Sequence, residues 1–245
     1  MSKTLYLKCA PEEVGDLVLL TGSPERVDRI ATFLDSGQIV AHNREFYTIS
    51  GLYHGQCVSA VSSGIGAPSA AIAIEELKQL GVKAMVRVGT MMGVSVPMGT
   101  YVISIGAARF EGTSRSYLNM AYPAVPDWIL AQHLLSGGQR DGLDVRLGIT
   151  ATYDAFYPKM APALAGHKLP DIDELRQAQV LALDMETALL YVMGLRLGIS
   201  VAAMCLVTND FAPFAMLDAA TRAKGEDALI QAVLAGLLTW NNMTE

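Results

Sequence analysis

Arg87 is the residue hardest to explain as packing. It stands inside the apolar run Met85-Val86-Arg87-Val88, with Gly89 and Thr90 directly after it. Arginine is almost never buried without a partner. The run therefore predicts either a structural salt bridge or an anionic ligand held by the Arg87 guanidinium and the Thr90 hydroxyl. A second cluster, Thr21-Gly22-Ser23-Pro24-Glu25-Arg26, reads as a glycine turn, a hydroxyl and a helix start that carries an arginine. Backbone N–H groups at a helix start, with a guanidinium beside them, bind anions. The same residues also suit an ordinary strand-to-helix turn with a surface arginine. The third cluster, Asp184-Met185-Glu186, sets two carboxylates around a methionine in an otherwise apolar stretch. In an extended chain both acids face one side, and at a helix start they complement the dipole. They serve either as caps or as acceptors for sugar hydroxyls, with the methionine as an adaptable apolar floor.

Elements must hold these residues in place. Asp16 to Leu20 predicts a buried strand, and Pro24 fits the first turn of a helix running from Glu25 to Leu34. Phe46 to Ile49 and Gln56 to Ser62 read as paired strands joined by Gly51 to Gly55. Ser63-Gly64-Ile65-Gly66 leads into a helix over Ala67 to Leu80. Lys83 to Val88, Thr100 to Ala107, Leu147 to Thr152 and Ser200 to Val207 are further strands, and Gly225 to Asn241 is a terminal helix. Buried strands separated by helices predict a single three-layer α/β/α domain over residues 1–245, with a mixed, largely parallel twisted sheet. In such sheets ligands bind beyond the carboxyl ends of the strands. That rule selects Gly22 to Arg26, Ser62 to Gly66, Arg87 to Gly93, Thr152 to Pro158 and Thr208 to Asp210.

Composition removes several classes. The 245 residues carry 18 basic and 24 acidic side chains, a formal net charge of −6, and are 51% hydrophobic. That hydrophobic fraction is too high for a disordered chain. An acidic balance without a lysine or arginine run argues against nucleic acid as a partner. The most apolar stretch, Val180 to Val207, is long enough to span a bilayer. It holds Asp184, Glu186 and Arg196, however, and each charge at bilayer depth costs about 2.5–3.5 kcal/mol. A buried helix followed by a buried strand is expected there, and no membrane partner. Met1 to Cys9 has no apolar signal-peptide core. Three dispersed cysteines (Cys9, Cys57, Cys205) suit a reducing cytoplasm. His42, His54, His133 and His167 are equally scattered, which predicts no zinc site.

In this order the clusters resemble the nucleoside phosphorylase-I family, above all its uridine phosphorylase-like and hexameric purine branches. The carrying motifs are Gly22-Ser-Pro-Glu-Arg26, His42-Asn-Arg-Glu-Phe46, Ser63-Gly-Ile-Gly-Ala-Pro-Ser69, Glu75-Glu-Leu77, Arg87-Val-Gly-Thr90, Phe156-Tyr-Pro158 and Asp184-Met-Glu186. The resemblance implies phosphorolysis: phosphate attacks C1′ of a nucleoside, releasing free base and pentose 1-phosphate, with no cofactor beyond phosphate as co-substrate. It implies phosphate binding by Gly22, Arg26, Arg87 and Thr90, with Arg44 arriving from a neighbouring subunit of a homodimer or homohexamer. It places the ribose at Met185 and Glu186, the latter gripping a hydroxyl more strongly as oxocarbenium character develops. Phe156 would stack on base or sugar. Some relatives hold an intersubunit potassium ion where this chain has Glu45, Ile65 and Ser69.

Departures from the family pattern gather around the base. Tyr6 stands where the family places a histidine that reaches the ribose 5′-hydroxyl of the adjacent subunit; a phenol can make that hydrogen bond. Ser23 replaces an aspartate of the phosphate turn. Met91-Met92 replaces a small residue and a glycine. Met160 and Pro162 stand where uridine-specific relatives read uracil with glutamine and arginine. Asn209 falls on the position of the purine branch's base-protonating aspartate, with Asp210 one residue later. That pair reads either as a base contact and general acid or as an Asx-type turn. The expected catalytic residues are Arg87, Glu186, Asn209 and Asp210; the expected base site is Met91, Met92, Phe156, Met160 and Asn209. Three functions stay open: a phosphorylase, a hydrolytic nucleosidase on the same fold, and a nucleoside binder without base chemistry. The arginine-bearing turn favours the first, because activating water would need a carboxylate there instead.

Overall fold

β1 (Leu17–Thr21) is buried at every residue, and its alternating side chains show how the layers form. Leu17 and Leu19 pack into one hydrophobic cluster, Val18 and Leu20 into another. The first cluster holds residues of α1 (Pro24–Ala31), α3 (Trp128–Arg140) and α6 (Ala219–Thr244); the second holds those of α2 (Ala67–Gln79) and α5 (Thr187–Leu197). Helices thus cover both faces of the strand, as its unbroken apolar run requires. The structure, a computed structural model, describes residues 3–155, 171–211 and 214–244.

The remaining strands are β2 (Asp35–Asn43), β3 (Phe46–Tyr53), β4 (Gln56–Ser62), β5 (Ala84–Gly93), β6 (Tyr101–Arg109), β7 (Val145–Thr152), β8 (Ala182–Asp184), β9 (Ser200–Phe211) and β10 (Phe214–Met216), with α4 (Ile172–Gln177) ahead of β8. They form one sheet in the order β10-β9-β6-β7-β8-β5-β1-β4-β3-β2. β5 also pairs with β9, parallel along its length, so β5, β9, β6, β7 and β8 close into a ring. Parallel pairings join β1 to β4 and β5, β5 to β9, and β7 to β6 and β8; the other five are antiparallel. The β2–β3 and β3–β4 pairings are antiparallel because two-residue turns join these strands, which only antiparallel neighbours permit. Tyr53 pairs with Gln56, so the turn is only His54-Gly55, both at positive φ, the two-residue hairpin geometry.

Five helices and strands escape the sequence reading: β2, β8, β10, α3 and the six-residue α4. β2 is exposed or half-exposed throughout and has no apolar alternation to betray it. β8 and β10 are three residues each, too short for any periodicity. α3 contains Gly137-Gly138, which look like a break. A Cβ on Gly137 would lie 2.5 Å from the Ala232 carbonyl oxygen of α6, so this glycine sets the approach of two helices. Several predicted elements are also longer than expected. β5 and β9 extend each other, with Met92 opposite Asn209 and Gly93 opposite Asp210. α6 begins at Ala219, six residues before the predicted start, capped by the Asp218 carboxylate on the Ala220 and Thr221 N–H groups. Among the described residues no helix is long and apolar enough to cross a membrane.

Candidate active site

The three sequence clusters meet at one cavity of about 220 Å³, beyond the carboxyl end of β1, as the α/β rule requires, and beside the middle of the longer β5. The β1–α1 turn supplies Gly22, Ser23 and Arg26; β5 supplies Arg87 and Thr90; the β8–α5 junction supplies Asp184, Met185 and Glu186. Ile65 and Arg222 complete it. Ser23 caps α1, its hydroxyl accepting from the Arg26 N–H at 3.4 Å. A serine does here the capping that an aspartate would do.

Arg87 is both salt-bridged and cavity-lining. Its Nε donates to Asp184 Oδ2 at 2.9 Å, and its Nη2 lies 2.6 Å from Glu186 Oε2. All three side chains are under a tenth exposed. Burial works to lower the Arg87 pKa, but Glu186 and then Asp184 more than reverse this and hold the guanidinium charged. The two acids divide the roles that the sequence left open. Asp184 caps α5, accepting from the Thr187 N–H and hydroxyl, and it also accepts from Thr152 Oγ1 at 2.8 Å. Glu186 makes no cap; it accepts from the Gly66 N–H at 2.5 Å and faces Arg87. Burial pushes the Glu186 carboxyl up from the ordinary glutamate range, with Arg87 pulling the other way.

Gly89 makes the Arg87 pose possible. A Cβ there would lie 2.9 Å from Arg87 Cζ and 3.0–3.1 Å from both Nη atoms, because the guanidinium folds back across the backbone. Gly89→Ala should displace the charge from its carboxylates and lower kcat/KM, on the order of 10²-fold for a shift near 1 Å. Steady-state kinetics checks this, and wild-type kcat/KM in the variant would show that the pose is not needed.

Arg26 is fixed from both ends of the chain. Its Nη1 donates to Thr21 Oγ1 at 2.8 Å and its Nη2 to Glu226 Oε1 at 2.9 Å. Glu226 lies on α6, is 9% exposed, and also pairs with Arg222 and Arg29. Its pKa is lowered: burial opposes ionisation, but Arg26 and Arg222 outweigh it. The cavity lining carries three guanidiniums (Arg26, Arg87, Arg222) and two carboxylates (Asp184, Glu186), while Glu226 pairs with Arg26 and Arg222 from outside the lining. The sequence motifs count the arginines but miss Glu226 and Arg222, since an Arg-x-x-x-Glu pair on a helix reads as a solvated face.

Other expected site residues fall elsewhere. Met91 and Met92 are 2% and 3% exposed and pack in separate hydrophobic clusters. β5 continues through both residues, with Met91 and Met92 paired to β9 and Met92 also to β8, and neither lines the Arg87 cavity. Asn209 and Asp210 are strand residues of β9, paired with β5 and β10, so the Asx-turn alternative is corrected. Neither lines the Arg87 cavity; Asp210 borders a polar pocket with Gly93 and Arg176. Tyr6 is held at a distance from its own chain's cavity: its N–H donates to buried Glu76 at 2.8 Å, and its ring meets Phe46 edge-on. Arg44 is exposed on the β2–β3 turn with φ +58° and does not line the cavity of its own chain. Ser69 donates to Glu45 Oε1 at 3.1 Å, and Ile65 is exposed nearby in sequence. Phe156 and Met160, with Pro162, lie outside the described residues.

Comparison with known proteins places this geometry. A sequence model of the phosphorylase superfamily matches residues 16–236. Uridine phosphorylase of Thermococcus kodakarensis is 37% identical over 219 residues, 84% of this chain and 79% of that protein. Guanosine phosphorylase of Halorubrum lacusprofundi is 35% identical over 212 residues, covering 86% and 85%. The crystal structure of uridine phosphorylase from Vibrio fischeri ES114 superposes with a TM-score of 0.80 at 27% identity, over 98% of this chain and 96% of that one.

Proposed function

This chain belongs to the phosphorylase superfamily, and on that footing we propose that its Arg26–Arg87 cavity holds inorganic phosphate against the C1′ of a nucleoside seated on Met185 and Glu186. The enzyme is a nucleoside phosphorylase: it cleaves the N-glycosidic bond with phosphate, giving free base and pentose 1-phosphate. The observation that carries the residue assignment is the pairing of Arg87 with Glu186 at 2.6 Å, which brings an anion donor and a ribose acceptor side by side.

In this reading the Gly22 and Ser23 backbone, Arg26, Arg87 and Thr90 orient the phosphate. As the glycosidic bond lengthens, positive charge grows at C1′. Phosphate approaches from one side while Glu186 tightens on a ribose hydroxyl, so both interactions are strongest in the transition state. The base leaves with the bonding electrons and takes up a proton, balanced by the one that hydrogen phosphate gives up as its oxygen bonds to C1′. Asn209 and Asp210 are kept as candidates for the base edge, together with Phe156 and Met160.

The cavity arginines of one chain are already paired with Asp184, Glu186 and Glu226, which supports an oligomer in which Arg44 and Tyr6 serve a neighbouring copy. Glu45, Ser69 and the Ile65 carbonyl fit a potassium ion chemically, being oxygen donors only. A Cβ on Gly64 would lie 2.8 Å from both Glu45 Cγ and Ser69 Oγ, so the loop is built to let them meet. Such an ion would add positive charge between the β2–β3 turn and the Ser63–Gly66 loop. We place the enzyme in the cytoplasm, in keeping with its three free cysteines.

For the base, Met160 and Pro162 cannot reproduce a glutamine–arginine reading of uracil, whereas Asn209 can hydrogen bond a purine edge. Purine nucleosides are therefore expected to be cleaved at least as well as uridine. Incubating a panel of nucleosides with and without phosphate and following base release tests the whole reading. Release without phosphate would overturn it in favour of hydrolysis, and uridine preferred over every purine nucleoside would overturn the base assignment.

A further inference from the structure

Arg222 lies outside every sequence motif yet lines the same cavity as Gly22, Ser23 and Arg26. Its side chain is 41% exposed, against 8% for Arg26 and 6% for Arg87. Those two are each engaged at two nitrogens, by Thr21 and Glu226 or by Asp184 and Glu186. Arg222 is engaged at one: its Nε donates to Glu226 Oε1 at 3.0 Å. Among the described residues neither of its Nη atoms has a hydrogen-bond partner.

That arrangement leaves a planar pair of Nη donors, oriented through Nε, at the edge of an anion-type cavity. Such a fork matches two oxygens of a tetrahedral oxyanion. Glu226 Oε1 also accepts from Arg26 Nη2, so one buried carboxylate fixes the two guanidiniums relative to each other. An incoming dianion needs donors whose hydrogen bonds are not already made within the protein. Arg222 has them.

We propose that Arg222 is a further phosphate-contacting residue, with Glu226 as the positioning residue that aims it. The proposal deepens the reading given above and rests on phosphate occupying this cavity.

Arg222→Ala, Arg222→Gln and Arg222→Lys, assayed with phosphate and nucleoside varied separately, test it. A charge-assisted hydrogen bond lost from a binding site corresponds to a phosphate KM raised about tenfold or more in the first two variants. The lysine variant should show a smaller rise, since it keeps the charge but loses the fork. Nucleoside KM at saturating phosphate should stay within about twofold of wild type. Glu226→Asp, one methylene shorter, should also raise phosphate KM and reduce the gain in thermal stability that phosphate confers. A phosphate KM unchanged in Arg222→Ala overturns the proposal, as does a loss carried by nucleoside KM or kcat instead. Arg26→Ala separates the two levels. If it raises phosphate KM and Arg222→Ala does not, only the role of Arg222 falls; if neither does, the placement of phosphate falls with it.

Discussion

Arg87→Ala is expected to abolish phosphorolysis and to destabilise the fold by about 3 kcal/mol, near the low end for breaking a buried ion pair. Removing the guanidinium takes a donor from the phosphate and strands two buried carboxylates. The low end is appropriate because Asp184 keeps Thr152 and Thr187, and Glu186 keeps the Gly66 N–H. Catalysis has no such reserve: losing a preorganised charged donor costs about 10²–10³-fold, and misplacing Glu186 as well compounds it. Urea unfolding together with base release on the folded fraction gives both numbers. Turnover within about tenfold of wild type would remove Arg87 from the site. Unchanged stability would mean that Asp184 and Glu186 do not depend on it.

Glu186→Gln should cost about 10²–10³-fold in kcat/KM for the nucleoside, with a smaller effect on phosphate KM. The amide can still accept a ribose hydroxyl but cannot answer the positive charge developing at C1′. A pH profile sharpens the test. Burial raises the Glu186 carboxyl above the ordinary glutamate range, Arg87 opposes this, and Asp184 adds to the rise. A raised pKa means that protonation sets in at higher pH as the solution is acidified. At saturating phosphate, the acid limb of the wild-type profile should therefore lie above that of an ordinary carboxylate, and it should vanish in Glu186→Gln. An acid limb that persists unchanged in the variant would assign it to another group.

Much of this site was readable as chemistry before it was readable as structure. An arginine in an apolar strand, a glycine–serine–proline turn with an arginine, and two acids around a methionine each declare that something polar is buried. Their partners were less legible. Arg26 meets Glu226 across 200 residues of sequence, and nothing local to either residue announces the other. Asp184 could have been a cap or a ligand acceptor; it caps Thr187 and also holds Arg87, which only coordinates reveal. The base region was the least legible: nothing in the sequence around Thr90 shows that β5 runs on through Met91 and Met92 and pairs there with β9 and β8.

The sequence by itself determined the layered α/β architecture and picked out the three polar clusters that meet at the cavity. These rest on local signals: apolar runs, turn residues, and charges whose burial must be compensated. Only the tertiary structure decided which carboxylates pair with the site's arginines, Asp184 and Glu186 with Arg87 and Glu226 with Arg26, and only it brought Arg222 there. Coulomb interactions depend on distance in space and on burial, and a linear chain specifies neither for residues that meet only after the sheet and α6 have packed.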